Sequence, residues 1–298
     1  MSRNLHLDHL ILMTDDVGVF QHARYGIPSR NHGYSTDDVA RAAIVACSAM
    51  GRRSSAQVGE RLLATYLAFL EDAQLDDGWF HNFMAYDRRW LDMRGGEDTF
   101  GRALWGLGVI AQRAPHGRWR KLALEMLVDA LPHVGNLSYL RAHAYTALGL
   151  AAALEAHLDR GDLKVALRSV LAPIILGLAT HSAPDWHWCE EMMTYDNGRL
   201  CEALIAGGAV LAEESTIVAG IGMLEFYAGV VIEDGIFVPI GSDGWYPRGG
   251  PRARYAQQPI EAGGFVEACL AASLATGDER WRERARIGAA WYTGGNHA

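Results

Sequence analysis

Carboxylates and aromatic side chains gather in four short stretches of this 298-residue chain. The first, HGYSTDDVAR, spans His32 to Arg41 and sets Tyr34 just ahead of adjacent Asp37 and Asp38. The second, DDGWFHNFMAYD, spans Asp76 to Asp87; Trp79, Trp90, Glu97 and Asp98 lie in or just beyond it. The third, PDWHWCEEMMTYDN, spans Pro184 to Asn197 and holds Trp186, His187, Trp188, Glu190, Glu191, Tyr195 and Asp196. The fourth, SDGWYPRGG, spans Ser242 to Gly250 and supplies Trp245 and Arg248; Gln258 and Glu261 follow in QQPIE.

This mixture suits carbohydrate chemistry. Glycosidic cleavage needs one protonated carboxylic acid for the leaving oxygen and a second carboxylate to activate water or attack the sugar. Indole and phenol faces stack on the C–H faces of sugar rings. Asp38, Asp98, Glu191 and Asp196 are the main candidate catalysts, with Asp37 and Glu261 behind them. Tyr34, Trp79, Trp90, His143, Trp186, His187, Trp188, Tyr195, Trp245, Arg248 and Gln258 are candidate substrate contacts.

Structural roles compete for several of these residues. Thr36 or Asp37 could cap a helix, and acids favour the positive end of its dipole. Asp76, Asp77 and Gly78 form a turn signal. Asp196 or Asn197 suits an N-cap, Pro259 suits a first helical turn, and Glu261 could complement the dipole there. A lone histidine such as His143 is more often a satisfied polar residue than a catalyst. No HExxH, nucleophile elbow or GxGxxG after a strand is present, which argues against zincin, α/β-hydrolase and Rossmann chemistry. Gly249-Gly250 lacks the spacing of a phosphate loop.

The elements that must position these groups are helices. Val39–Met50, Arg102–Ile110, Ala142–Leu154, Leu200–Leu211 and Val266–Ala275 are apolar or small all round, the mark of helices buried on every side. Each is followed by a partner, usually with a clearer polar face: Gln57–Glu71, Arg118–Leu131, Leu163–Leu178, Ile217–Val231 and Glu279–Trp291. Short turns join the members of a pair, and mostly long loops join successive pairs. All the long loops then fall at one end. The fold class expected is all-α, an (α/α)6-type toroid with inner and outer helices, forming a single domain over 1–298. Five pairs are clear. A sixth would need Leu5–Arg24, which Gly18 interrupts and Gly26 and Pro28 follow. A helical solenoid ranks second, since no fixed repeat is evident. Gly78–Tyr86 and Gly235–Ile240 are expected to form short hairpins inside the loops.

Bulk properties narrow the function. Half the residues are apolar and 21% are charged, enough for a sizeable core. A net charge of -8 argues against a nucleic-acid binder. The N-terminal stretch lacks the pattern of a signal peptide, and no run reads as a membrane span. Cys47, Cys189, Cys201 and Cys269 include no CxxC pair, so no metal cluster, disulfide framework or cofactor is expected, and the setting reads as cytoplasmic.

Three phrases carry a family resemblance: TDDVGVFQHARYGIPSRNHGYSTDDVARA, WHWCEEMMTYDNGRLCEALIAGG and QQPIEAGGFVEACLAA. With them the chain, from about Leu5 to Trp291, resembles an uncharacterised bacterial domain of the six-hairpin glycosidase superfamily. Related domains are often linked to glycosyltransferases, which implies a separately encoded glycosyltransferase as a partner. TDDVA at Thr36–Ala40 is similar to the paired-Asp helix start of α-1,6-mannanases, which implies Asp37 and Asp38 as catalysts. The phrase YDN at Tyr195–Asn197 resembles toroids of the N-acylglucosamine epimerase kind, which implies proton transfer by histidines, here His143 and His187. The leading expectation is a glycoside hydrolase acting on a mannose- or glucose-containing oligosaccharide. The alternatives are a sugar epimerase or isomerase, and a non-catalytic glycan-binding domain that assists a glycosyltransferase.

Overall fold

The structure is a computed structural model and describes residues 6–296. Its contacts group into two compact units, Met1–Ala166 and Leu167–Ala298.

The first unit opens with α1 (Asp8–Leu12), then β1 (Ala23–Arg24) and β2 (Ile27–Pro28), which pair antiparallel. Tyr25 and Gly26 form the tip, with φ of 53° and 80°. Two successive left-handed residues match the twist of a tight hairpin. Then follow β3 (Tyr34–Ser35), α2 (Thr36–Met50), α3 (Ala56–Ala73), β4 (Phe83–Met84), α4 (Glu97–Arg113), α5 (Gly117–Ala130) and α6 (Leu140–Ala156). The N-cap of α2 is Ser35, whose hydroxyl oxygen accepts from the Asp38 amide at 3.2 Å, so neither Thr36 nor Asp37 has the capping role. Helix α4 packs against α2 on one side and α6 on the other, while α3 and α5 flank α2 and α4.

Helix α7 (Gly161–His181) continues into the second unit. There β5 (Met192–Met193), α8 (Asn197–Leu211), α9 (Glu214–Val231), β6 (Ile232–Glu233), β7 (Ile236–Phe237), β8 (Tyr246–Pro247), α10 (Pro259–Thr276) and α11 (Glu279–Ala290) follow. Helix α8 packs on α9 and α10, and α10 on α11. Pro259 opens α10 as its sequence suggested, and Gly277 ends it at φ 71°. No disulfide links the four cysteines, and all four are buried.

Four short-turn helical pairs pack within the units, α2–α3, α4–α5, α8–α9 and α10–α11, a short turn joins α6 to α7, and among the described residues the N-terminal segment does not supply a sixth pair. Leu5 lies outside the described residues. From Asp8 onward the chain forms one short helix and then extended turns, because Gly18, Gly26 and Pro28 interrupt any longer one. Two further expectations change. The Gly78–Tyr86 stretch pairs with a distant strand: β4 lies antiparallel to β3, Ser35 opposite Phe83. The β6–β7 hairpin expected around Gly235–Ile240 forms, and the Gly78–Tyr86 stretch also makes local antiparallel bridges, Phe80 with Gln74 and Met84 with Trp90. Helices α7 and α9 are long and apolar enough, by composition, to cross a membrane, although no such run was expected. Counting only unbroken apolar residues missed them, because isolated charges and small polar residues leave the mean hydropathy of α7 and α9 high.

Close helix approach explains the small residues. A Cβ on Gly108 of α4 would lie 2.0 Å from the Gly149 carbonyl oxygen of α6, and one on Gly149 would lie 2.2 Å from the Leu104 carbonyl oxygen. In the second unit, a Cβ on Gly198 of α8 would meet the Gly264 carbonyl carbon of α10 at 2.2 Å. Gly108→Ala is expected to destabilise the protein by about 1–3 kcal/mol through overpacking. Chemical denaturation checks this, and an unchanged midpoint would show that α4 and α6 can separate without cost.

Candidate active site

In the first unit the N-terminal turns of α2, α4 and α6 bring polar groups together on an otherwise apolar scaffold. Asp37 and Asp38 open α2, and Asp98 opens α4. Arg102, one turn after Asp98, is nearly buried and links them. It forms a short ion pair with Asp37, lies 3.9 Å from Asp98, and donates to the Tyr145 hydroxyl at 2.9 Å. Its guanidinium carbon also sits 4.6 Å from the centre of the Tyr145 ring. Arg41 completes the network, 2.7 Å from Asp38 and 3.1 Å from Asp37. Asp38 further accepts from the Ser35 hydroxyl at 2.6 Å. The carboxylates of Asp37, Asp38 and Asp98 keep 21%, 34% and 30% of their side-chain surface exposed, so the cluster is reachable.

The loop between α3 and α4 borders this cluster. Thr36 donates through its amide to the Asn82 carbonyl and through its hydroxyl to the His81 carbonyl. The His81 ring lies flat on Trp90, 4.8 Å between centres, and its Nδ1 is 2.8 Å from the Asp92 carbonyl oxygen. A carbonyl can only accept, so Nδ1 carries a proton.

Other candidates in this unit serve packing. Tyr34 is fully buried, stacks on Phe20 and donates to Asp15 at 2.6 Å. Trp79 is 7% exposed, stacks on Phe100 at 4.2 Å and donates to the Gly95 carbonyl at 2.8 Å. His143 is buried with Nε2 3.0 Å from the Leu137 carbonyl, and burial depresses its pKa.

In the second unit Asp196 and Glu261 meet, but both are sealed at 1% exposure. Asp196 has a left-handed backbone, φ 50°. The Glu261 carboxylate holds it there: it accepts from the Asp196 amide in a short bond, from Asn197 Nδ2 at 3.0 Å and from the Tyr227 hydroxyl at 2.8 Å. This pair fixes the start of α8. Below it Arg199 is buried between Glu202, at 2.5 Å, and Glu267. Glu191 stands apart on the surface, 3.0 Å from His181 and 3.5 Å from Arg248. The His181 hydrogen bond, and secondarily the Arg248 charge, hold its pKa low, which suits no general acid.

The third cluster's aromatics also pack inward. Trp186 is 2% exposed, donates to the Glu190 carbonyl at 2.7 Å and meets Phe226 and Tyr246 edge-on. Trp188 is fully buried beside Tyr227. His187 bonds Ser182 at 2.9 Å and lies so close to α9 that a Cβ on Gly222 would meet its Nε2 at 2.8 Å. Tyr195 and Trp245 remain half-buried neighbours, 6.4 Å between ring centres, and Gln258 is exposed at the start of α10.

Sequence reasoning missed Arg102, Arg41, Tyr145 and His81. A signal existed for two of them: Arg102 is a cation inside an otherwise apolar helix, one turn from Asp98, and Arg41 stands one turn from Asp37 and Asp38. Among the described residues, no group of three or more His, Cys, Asp or Glu side chains is gathered as a metal would require.

Glu261 makes the strongest pH statement. Burial foremost, and the neighbouring Asp196 charge, push its pKa up to about 7, against three hydrogen bonds that lower it. The unfolded chain releases this proton near the ordinary carboxylate value, the folded chain only near 7. Its contribution to stability is therefore full at low pH and is lost as pH rises through that window. Glu261→Gln removes the titration, so the stability of the native protein relative to the variant is expected to fall between about pH 5 and about pH 8. Urea unfolding at both pH values measures it, and a constant difference would refute the assignment.

No family model matches the sequence, and no curated protein matches it. Solved structures do. A sugar epimerase from a ruminal bacterium aligns with a TM-score of 0.75 at 12% identity, over 96% of this chain and 84% of that one. A D-mannose isomerase aligns at 0.72 and 12%, over 95% and 83%. The cellobiose 2-epimerase from Bacillus thermoamylovorans aligns at 0.71 and 11%, over 95% and 82%. At such identity the likeness is one of architecture. In fold, the chain is an all-α protein of paired helices like these sugar epimerases and isomerases.

Proposed function

We propose that the protein is a sugar epimerase or isomerase acting on a mannose- or glucose-containing saccharide. The observation that carries this reading is the near full-length likeness to a sugar epimerase, a mannose isomerase and a cellobiose 2-epimerase. Site chemistry favours it over the hydrolase expected from composition. Hydrolysis needs a reachable protonated acid. The candidate with a pKa raised to about 7, Glu261, is sealed from solvent. The reachable Asp37, Asp38 and Asp98 sit against arginines, an arrangement suited to holding hydroxyl and carbonyl oxygens.

In this reading the open-chain sugar presents its carbonyl oxygen to Arg41, the more exposed cation, while buried Arg102 holds Asp37 in place. The Arg41 cation stabilises the oxyanion that forms as the carbon next to the carbonyl loses its proton. Asp98 and His81 exchange that proton. Its return to the opposite face of the same carbon gives the epimer; its delivery to the former carbonyl carbon, with the neighbouring hydroxyl losing its proton as the former carbonyl oxygen gains one, gives the ketose. His143 and His187, implied by resemblance to epimerase-like toroids, are poorly suited: one is buried on a backbone carbonyl and the other is packed against α9. His81 takes the imidazole role, with its Nδ1 proton held by the Asp92 carbonyl.

Incubation with D-mannose and with cellobiose in deuterium oxide tests this. The expected result is an isomeric product carrying one solvent deuteron on carbon. Asp98→Asn is expected to slow the exchange about a hundredfold. Cleavage of cellobiose to glucose without exchange would replace this reading with the hydrolase.

A further inference from the structure

The second unit contains a cleft of about 760 Å³ lined by residues of the β6–β7 hairpin, the segment leading to α10 and the end of α11. That volume falls within the roughly 300–1,000 Å³ of small-molecule sites. No residue of the acid–base cluster lines it. We propose that it is a binding site for a neutral saccharide.

The lining combines apolar faces with fixed polar groups. Tyr255 is 79% exposed, a large aromatic surface left open to solvent. Trp291, half-buried, donates from Nε1 to Gln257 Oε1 at 3.2 Å, and Gln257 Nε2 in turn donates to the Arg254 carbonyl at 3.1 Å. The indole and the amide are therefore held before any ligand arrives, which lowers the entropy cost of binding. Each side of the Gln257 amide retains further hydrogen-bonding capacity.

Charge selects the ligand class. Arg254 grips Glu233 with both Nη atoms, at 2.9 and 3.1 Å, and Arg252 meets the same carboxylate. The Arg254 hydrogen bond holds the Glu233 pKa low, so Glu233 remains an acceptor. Both Arg254 Nη groups are thus engaged by a carboxylate, and Asp234 adds negative charge at the rim. Both arginines are committed to Glu233, so a phosphate or carboxylate ligand finds no uncommitted cation among them. A pyranose fits: its C–H faces lie on Trp291 and Tyr255, and its hydroxyls reach Gln257, Glu233 and Asp234.

Fluorine NMR of protein carrying 5-fluorotryptophan tests the site, with the Trp291 signal assigned by its loss in Trp291→Phe. Titration with cellobiose and with D-mannose is expected to shift that signal saturably for at least one of them, and inorganic phosphate to leave it in place. Tyr255→Ala, at an exposed position that folding tolerates, is expected to weaken the response about tenfold. Asp98→Asn is expected to leave it unchanged even where turnover is lost, which separates this site from the proposed reaction. No saturable shift with either sugar, a response equal in Tyr255→Ala, or a response abolished by Asp98→Asn would each overturn the proposal.

Discussion

Backbone-to-backbone contact between central helices is the constraint on which the first unit depends. At Gly108 and Gly149 the α4 and α6 backbones approach until no Cβ fits between them. Helices packed that closely have little freedom to slide or rotate. Their N-terminal turns are thereby fixed, and those turns carry Asp98, Arg102, His143 and Tyr145. A site assembled from three helix starts needs such rigidity, because proton transfer depends on sub-ångström placement.

The ion pairs depend on that scaffold. Arg102 is nearly buried in an apolar helix, and an unpaired guanidinium there would be costly. Asp37, Asp98 and Tyr145 offset the cost from three different helices. The cluster is therefore a structural junction as well as a chemical one. The second unit solves a similar problem differently. Glu261, Asn197 and Tyr227 close around the left-handed Asp196 backbone and shut both carboxyl groups away from solvent. Two acids of the same apparent promise in sequence thus have opposite fates: Asp98 faces outward, while Asp196 is used up in building a turn.

Aromatic residues show the same division. Trp79, Trp186 and Trp188 stood in polar loops and suggested sugar platforms. The loops fold back on the helix ends, and burying an indole contributes more than exposing it. Trp79 and Trp186 meet the condition that a buried indole N–H find an acceptor, on Gly95 and Glu190. Open aromatic surface is found instead on tyrosines such as Tyr255, in a segment to which the sequence assigned no role.

What the sequence determined by itself is the helical architecture. Apolar periodicity, the short turns within pairs and the Pro259 and Gly277 boundaries are local signals, and local signals survive in one dimension. The four loop stretches were legible for the same reason, as departures in composition. Only the tertiary structure decided which of their residues meet. Asp37 and Arg102 are 65 positions apart, as are Asp196 and Glu261, and no spacing rule links either pair. Burial also decided between identical side chains, because a carboxylate or an indole acquires its role from the dielectric and the partners around it. The N-terminal segment marks the border between the two kinds of information. Its glycines and proline announced an interrupted helix, but its antiparallel pairing of Tyr34 with Met84 depended on a strand 50 residues away.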